Sequence, residues 1–193
     1  MKALLSARAV APFGLALALM TIAAGFARAQ PHEAGSAVGM QAEVTTLLSV
    51  VEEKFNALAE AMDAEQYAWR PGEGVRSVGE VFRHVAGTNF WMPVLLGCPL
   101  PEGPISQDYQ SVVAYEAAGN RDATRTGLRD SFTHLKQCIA DVPDSAMNRE
   151  VDMFGTPGNV RTYLMMMLTH VHEHLGQSIA YARMNGVVPP WSR

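Results

Sequence analysis

The chain has 193 residues, with 15 Lys and Arg against 19 Asp and Glu and a formal net charge of −4. That length gives one domain with room for a sizeable core, and the acidic balance lacks the electrostatic footprint that binds a phosphate backbone, which argues against nucleic acid as a partner. Two cysteines, Cys98 and Cys138, are too few for a disulfide scaffold and form no C-x-x-C pair, so a cysteine-based zinc site or redox motif has no support.

Residues 1–29 read as a cleavable signal peptide. Lys2 and Arg8 make a basic start, an apolar run follows around Phe13–Ala24, and Ala27-Arg28-Ala29 offers the small residues a signal peptidase accepts. The apolar run is short of the ~20 residues that span a bilayer. Cleavage is expected before Gln30, sending the mature protein to the periplasm or the medium with no membrane contact. The leader holds Lys2, Arg8 and Arg28 and no acidic residue, so its loss moves the net charge from −4 to −7. Residues 30–39, small and polar, read as a flexible segment before one folded domain over 40–193.

Val44, Leu47, Leu48, Val51, Phe55, Leu58 and Met62 recur at three- and four-residue steps, the stripe of an amphipathic helix. It is expected to end before the loop Trp69–Gly74. Ser77-Val78-Gly79-Glu80 is a capping-box pattern and opens a second helix to about Leu96, bent or shortened by Pro93. The stretch from Gly97 to Gln107 is rich in Pro and Gly and reads as loop, and Tyr109–Ala118 as a short helix. A third stripe is Leu128, Phe132, Leu135, Ile139 and Val142, stopped by Pro143. The fourth follows Gly155-Thr156-Pro157-Gly158, runs from Tyr163 to Ala182 and stops at Asn185-Gly186, a C-cap signature. No segment alternates with period two over any length. The expected architecture is all-α, a four-helix bundle. Cys98 and Cys138 are left with two readings, one disulfide or two separate thiols with Cys138 as a small core residue.

Six histidines are present, and three stand out. His170 and His174 are four apart on helix four, pointing within about 40° of each other. Met167, Val171 and Ser178 flank them, so their face points inward. One reading is a pair of hydrogen-bonded boundary histidines; the other is two ligands of one metal ion, which would satisfy two buried imidazoles together. His84 lies between Val81 and Val85 on the inward face of helix two. Three such histidines make the three-ligand set of a zinc-type site, with one coordination position left open. His170-Val171-His172-Glu173-His174 also fits H-x-x-E-H, the inverted zincin motif, but that reading needs a downstream carboxylate and no acidic residue follows Glu173. His172 falls about 200° round the helix from His170 and off the site. His134 reads as a surface or boundary residue, and His32 belongs to the N-terminal segment.

Around the triad, Glu80 is one turn before His84, with the capping box as its first role. Gln177, three residues after His174, is placed to bond a water or a ligand's far side. Glu80 and Gln177 are the candidate catalytic residues; Asn89 and Trp91 are the candidate cavity lining. Gly176 is expected to permit a close helix crossing, and Met165–Met167 to fill the core and its boundary.

Two blocks carry a resemblance. The first runs from Tyr67-Ala68-Trp69-Arg70-Pro71 to Ser77-Val78-Gly79-Glu80-Val81-Phe82-Arg83-His84-Val85-Ala86. The second is His170-Val171-His172-Glu173-His174-Leu175-Gly176-Gln177 with Tyr181-Ala182-Arg183 and Gly186–Ser192. Together they resemble the DinB/YfiT-like metalloenzyme family over nearly all of the mature chain. The resemblance implies a four-helix bundle holding one divalent ion, zinc, nickel or a similar metal, on His84, His170 and His174. Many relatives have His-Arg-Gly-Gln where this chain has His174-Leu175-Gly176-Gln177, a change that leaves the ligands intact. Characterised branches of the family include thiol-dependent transferases and isomerases that use cytoplasmic thiols.

The function expected is a metal-dependent enzyme acting on a small molecule, with hydrolysis first because water is always available to an exported enzyme. The alternatives are a thiol-dependent S-transferase or isomerase, and a non-catalytic metal- or ligand-binding bundle. The partners expected are a small-molecule substrate and no nucleic acid, with a homodimer left open.

Overall fold

The computed structural model describes residues 39–192; the leader, the segment up to residue 38 and His32 lie outside the described residues. Four long helices carry the apolar stripes: α1 (Met40–Ala61), α3 (Val78–Trp91), α5 (Arg121–Ala140) and α6 (Val160–Met184), with the short α2 (Ala64–Ala68) and α4 (Gln110–Ala117) between them. α5 packs on both α1 and α3, and α6 packs on the same two, so the long helices close into a ring in which α1 faces α3 across the core. Phe55 of α1 bridges that diagonal, with its ring centroid 6.1 Å from Phe82 of α3 and 5.8 Å from Phe132 of α5. All three phenylalanines are fully buried, and each contributes roughly 1.5–3 kcal/mol through the apolar surface it removes from water.

α3 is the most enclosed helix, with eleven of its fourteen residues buried. The capping box at its start forms as read: Glu80 N donates to Ser77 Oγ (3.2 Å) and Ser77 N donates to Glu80 Oε2 (2.6 Å), a contribution of about 1 kcal/mol. Its other end is set by Pro93, which lacks an N–H to continue the ladder. The α-helix stops at Trp91 and tightens into a 3-10 turn over Met92–Leu96.

Between α1 and the Trp69 loop, the chain breaks and restarts. Asp63 and Gln66 form a second capping box that opens α2 as a separate element, a break hidden in the sequence by the continuing apolar pattern. α4 lies against α3 at Gly87, where a Cβ would come within 3.0 Å of Val112 Cγ1 and 3.3 Å of Tyr115 Cδ1. Arg83 then ties down the end of α4: its Nε donates to the Glu116 carbonyl (2.7 Å) and its Nη1 to Thr124 Oγ1 (3.2 Å).

The structure also contains a β-hairpin that the sequence reading lacks. β1 (Glu150–Met153) pairs antiparallel with β2 (Thr156–Asn159), Val151 facing Gly158. Four-residue strands with Pro157 and Gly158 in one of them are too short and too irregular to show alternation. The two-residue turn places Phe154 at φ 59° and Gly155 at φ 86°, the positive pair that a tight hairpin turn requires. Glycine adopts it freely; phenylalanine gives up roughly 1–2 kcal/mol there.

Two further expectations meet the structure. Cys98 and Cys138 are bridged, their Cα atoms 5.8 Å apart, which ties the turn after α3 to the last turns of α5. Gly176 does not mediate a close helix crossing: it is exposed and nothing lies within 4 Å of a Cβ built on it. No described helix is long and apolar enough to cross a membrane.

Candidate metal centre

α3 and α6 are neighbours in the ring, and their facing stripes carry histidines where aliphatic residues would otherwise meet. His84, His170 and His174 each offer one ring nitrogen within 4.8 Å of the other two. His84 Nε2 lies 3.3 Å from His170 Nε2, and the His174 ring centroid is 4.7 Å from that of His84 and 4.6 Å from that of His170.

Each outer contact fixes an inner nitrogen. His84 Nδ1 donates to Glu116 Oε2 at 3.0 Å, which leaves its Nε2 directed at His170. His174 Nδ1 donates to Gln177 Oε1 at 2.9 Å, while Gln177 Nε2 donates to the Tyr181 hydroxyl at 3.0 Å. Tyr181 is in turn braced edge-on by Trp69, with centroids 5.5 Å apart. His170 has no such brace: its Nδ1 is buried without a hydrogen-bond partner.

Electrostatics keep the centre ready for a cation. Burial lowers His170, and the neighbouring His174 and His84 lower it further, to about 3. His174 is lowered by burial, against an opposing contribution from Gln177. Burial raises Glu116, but the hydrogen bonds from His84 and Arg76 overcome it and hold the carboxyl at about 2. Glu116 therefore stays ionised, bound to Arg76 Nε at 2.5 Å on one oxygen and to His84 on the other.

These residues fit a metal ion. With zinc–nitrogen bonds of roughly 2.0–2.1 Å, two ligands of a tetrahedral shell sit about 3.3–3.4 Å apart, the spacing of the His84 and His170 nitrogens. Two of the three imidazoles hand their far N–H to a carboxylate or an amide oxygen, the arrangement that fixes tautomer and raises ligand basicity in metal sites. Three converging imidazole nitrogens are a donor set for a borderline cation.

Above the histidines is a cavity of about 350 Å³, lined by His84, Thr88, Trp91, Met92, Tyr109, Phe154, Met166 and His170. Trp91 takes the lining position expected for it. Asn89 does not: its side chain turns toward α5, where Nδ2 donates to Ser131 Oγ at 3.4 Å. Nor does Glu80 reach the centre. Its two oxygens are held by Ser77 and by Arg70 Nη2 (3.0 Å), which leaves it a cap and an ion pair. Gln177 stands behind His174 and outside the cavity lining. His172 is exposed, its Nδ1 donating to the Leu168 carbonyl. His134 lies beside the disulfide, its Nε2 3.6 Å from Cys138 Sγ. Cys98, His134 and Cys138 also place three donors within 4.8 Å, but the disulfide uses both sulfurs, and the thiolate is the ligand form.

Glu116 and Arg76 are the residues beside the centre that the sequence reading lacks. Nothing in the sequence separates Glu116 from eighteen other acidic residues, apart from its being the one carboxylate in the Tyr109–Ala118 segment. Its approach to His84 depends on Gly87 and Arg83, contacts 29 and 33 residues away in the chain.

A four-helix bundle whose neighbouring helices bring three histidines together beside a cavity defines a class of small helical proteins built around a metal-competent centre. The chain belongs to the DinB superfamily, whose family model matches residues 47–178. Solved structures agree in fold. A DinB-like protein from Bacillus cereus, 16% identical, superposes with a TM-score of 0.60 over 76% of this chain and 93% of that one. The DinB-like protein YjoA from Bacillus subtilis, 17% identical, gives 0.59 over 78% and 98%. YfiT from Bacillus subtilis, described as "a probable metal-dependent hydrolase with an unusual four-helix bundle topology", is 16% identical and gives 0.61 over 82% and 94%. The comparison with curated proteins gave no sequence match.

Proposed function

We propose that this protein is an exported hydrolase of small molecules that depends on one divalent ion, zinc or nickel, held by His84, His170 and His174. The observation that carries the reading is the convergence of three imidazole nitrogens, two of whose rings, His84 and His170, line an open cavity. The description of YfiT as a probable metal-dependent hydrolase supports it. Bound there, the ion would polarise a substrate oxygen and lower the pKa of a water at its open position.

The chain's own residues supply the rest. Glu116, ionised and clamped by Arg76, holds the Nδ1 proton of His84 and keeps Nε2 directed inward. Gln177 does the same for His174. Thr88 Oγ1 donates to the His84 carbonyl at 2.8 Å, so it lines the cavity with its donor turned away and presents its methyl side. Beyond the histidines, the remaining lining is apolar or aromatic. In the reaction, water adds to the acyl carbon, the acyl–heteroatom bond breaks, and the leaving group departs with the proton.

The test is turnover of a panel of esters, amides and lactones by mature protein stripped of metal and then reloaded. Loss on stripping and recovery with zinc or nickel, without added thiol, is the expected result. Turnover only with a thiol present would make the protein an S-transferase or isomerase, and stoichiometric metal with no turnover of any kind would make it a binding bundle.

A further inference from the structure

The cavity above the histidines has an unusual wall. Trp91 and Phe154 lie nearly parallel, 16° apart with centroids separated by 5.7 Å, and Tyr109 meets Trp91 edge-on at 5.2 Å. These rings come from three separate places: the end of α3, the loop before α4, and the tip of the hairpin. The indole N–H of Trp91 is spent on the Gln107 carbonyl (3.1 Å), which fixes the ring at the cavity wall. Phe154 is 58% exposed and Tyr109 41%, although both border a cavity and could bury that surface against a ligand. Phe154 also holds φ 59° at the turn, where glycine or asparagine would sit without strain. A bulky residue in that conformation at a cavity mouth is the pattern of strain kept for function. Finally, the lining of the cavity contains no Lys, Arg, Asp or Glu, so the ion that the histidines would hold is the charge a ligand there would meet.

We infer that Trp91, Tyr109 and Phe154 form an aromatic wall that selects small molecules bearing a planar aromatic group, and directs their reactive end to the histidine centre. This rests on the metal-dependent reading of that centre. Aromatic rings pack on such a wall by offset and edge contacts that add to simple burial. A cavity of about 350 Å³ suits one ring system with a short polar head and little more. The hairpin thus acquires a role: it carries Phe154 over the mouth, away from the bundle that supplies the other residues.

Two hydroxamates that share a metal-seeking head test the wall apart from catalysis. Benzohydroxamate is expected to bind zinc-loaded protein at least about tenfold more tightly than acetohydroxamate, by calorimetry. In Phe154→Gly and in Trp91→Leu the preference should fall to within about twofold, with acetohydroxamate affinity and zinc stoichiometry unchanged. Phe154→Gly should leave Tm unchanged or raised, since glycine accepts φ 59°; a ring that served stability alone would give a lower Tm and an unaltered preference. Equal affinities in the unsubstituted protein, or a preference that survives both substitutions, would overturn the inference. A third probe, 2-naphthol, has no metal-binding head and is followed by its own fluorescence in metal-free protein. If the hydroxamates fail to bind but naphthol binds and is lost in Phe154→Gly, the wall stands and the metal reading falls. If naphthol also fails to bind, the wall falls with it.

Discussion

Glu116 Oε2 accepts a hydrogen bond from His84 Nδ1 at 3.0 Å, and its other oxygen is held by Arg76. A carboxylate behind a ligating histidine fixes the ring and raises its basicity, and losing such support typically lowers metal affinity about 10–100-fold. Glu116→Gln is expected to weaken zinc binding by that factor, measured by competition with a chelator of known affinity. Glu80→Ala should lower Tm through the loss of the capping box and the Arg70 ion pair while leaving zinc affinity within about twofold.

The three central histidines should separate from the others. His84→Ala, His170→Ala and His174→Ala are each expected to reduce stoichiometric metal binding at least tenfold, because a lost ligand is at least as severe as lost support behind one. His134→Ala and His172→Ala should leave it nearly unchanged. Elemental analysis of dialysed protein gives the answer directly; full retention of metal in any of the first three would remove that residue from the centre.

Acid should destabilise the metal-free protein over two overlapping pH ranges. His170 is held at about 3, far below the ordinary histidine value of 6.5, and His174 is lowered too. The unfolded chain therefore binds more protons between pH 6.5 and 3, so stability present above pH 6.5 is lost as pH falls through that window. Glu116, held at about 2 against 4.5, adds a loss that begins only below about 4.5. Tm of apoprotein should decline between pH 6.5 and 4.5, and His170→Gln should flatten that part of the curve. An unchanged slope in the variant would assign the decline to other groups. Metal should slow the loss near neutrality, since ligation requires neutral imidazoles and competes with protons.

The Cys98–Cys138 bridge spans 40 residues. Closing a loop of that length stabilises by about 4 kcal/mol in the chain-entropy account. A Cys98→Ser, Cys138→Ser double variant should lose roughly 2–4 kcal/mol in urea unfolding, yet keep one metal per chain. Loss of the metal as well would show that the bridge also holds α3 in register.

Export remains a reading of residues 1–29. The Ala27-Arg28-Ala29 ending predicts a mature N-terminus at Gln30. The intact mass of protein recovered from the cell envelope checks it, and a retained leader in cells with working signal peptidase would contradict it.

The long helices, their inward faces and the three histidines were legible because each rests on short-range regularity. An amphipathic stripe repeats within one turn, His170 and His174 are four residues apart, and Ser77 and Glu80 make a capping box over three. Cys98 and Cys138 could be named but not paired, since pairing needs the distance between the ends of two helices. The hairpin escaped notice because its eight residues are too few, and its Pro157 and Gly158 too irregular, to alternate visibly. Glu80 is the carboxylate the sequence offers beside His84 for the same reason that makes the helices readable: it is one turn away, and spacing along a helix is the only proximity a sequence displays. Which carboxylate stands behind His84 was decided instead by tertiary packing, through the missing Cβ of Gly87 that lets α4 approach and the buried Arg83 that holds its last turn. Local periodicity thus determined the elements and the ligands they carry. Contacts between residues distant in the chain decided what lies behind those ligands and what faces them across the cavity, because such contacts depend on the packing of whole helices and leave no repeat in the sequence.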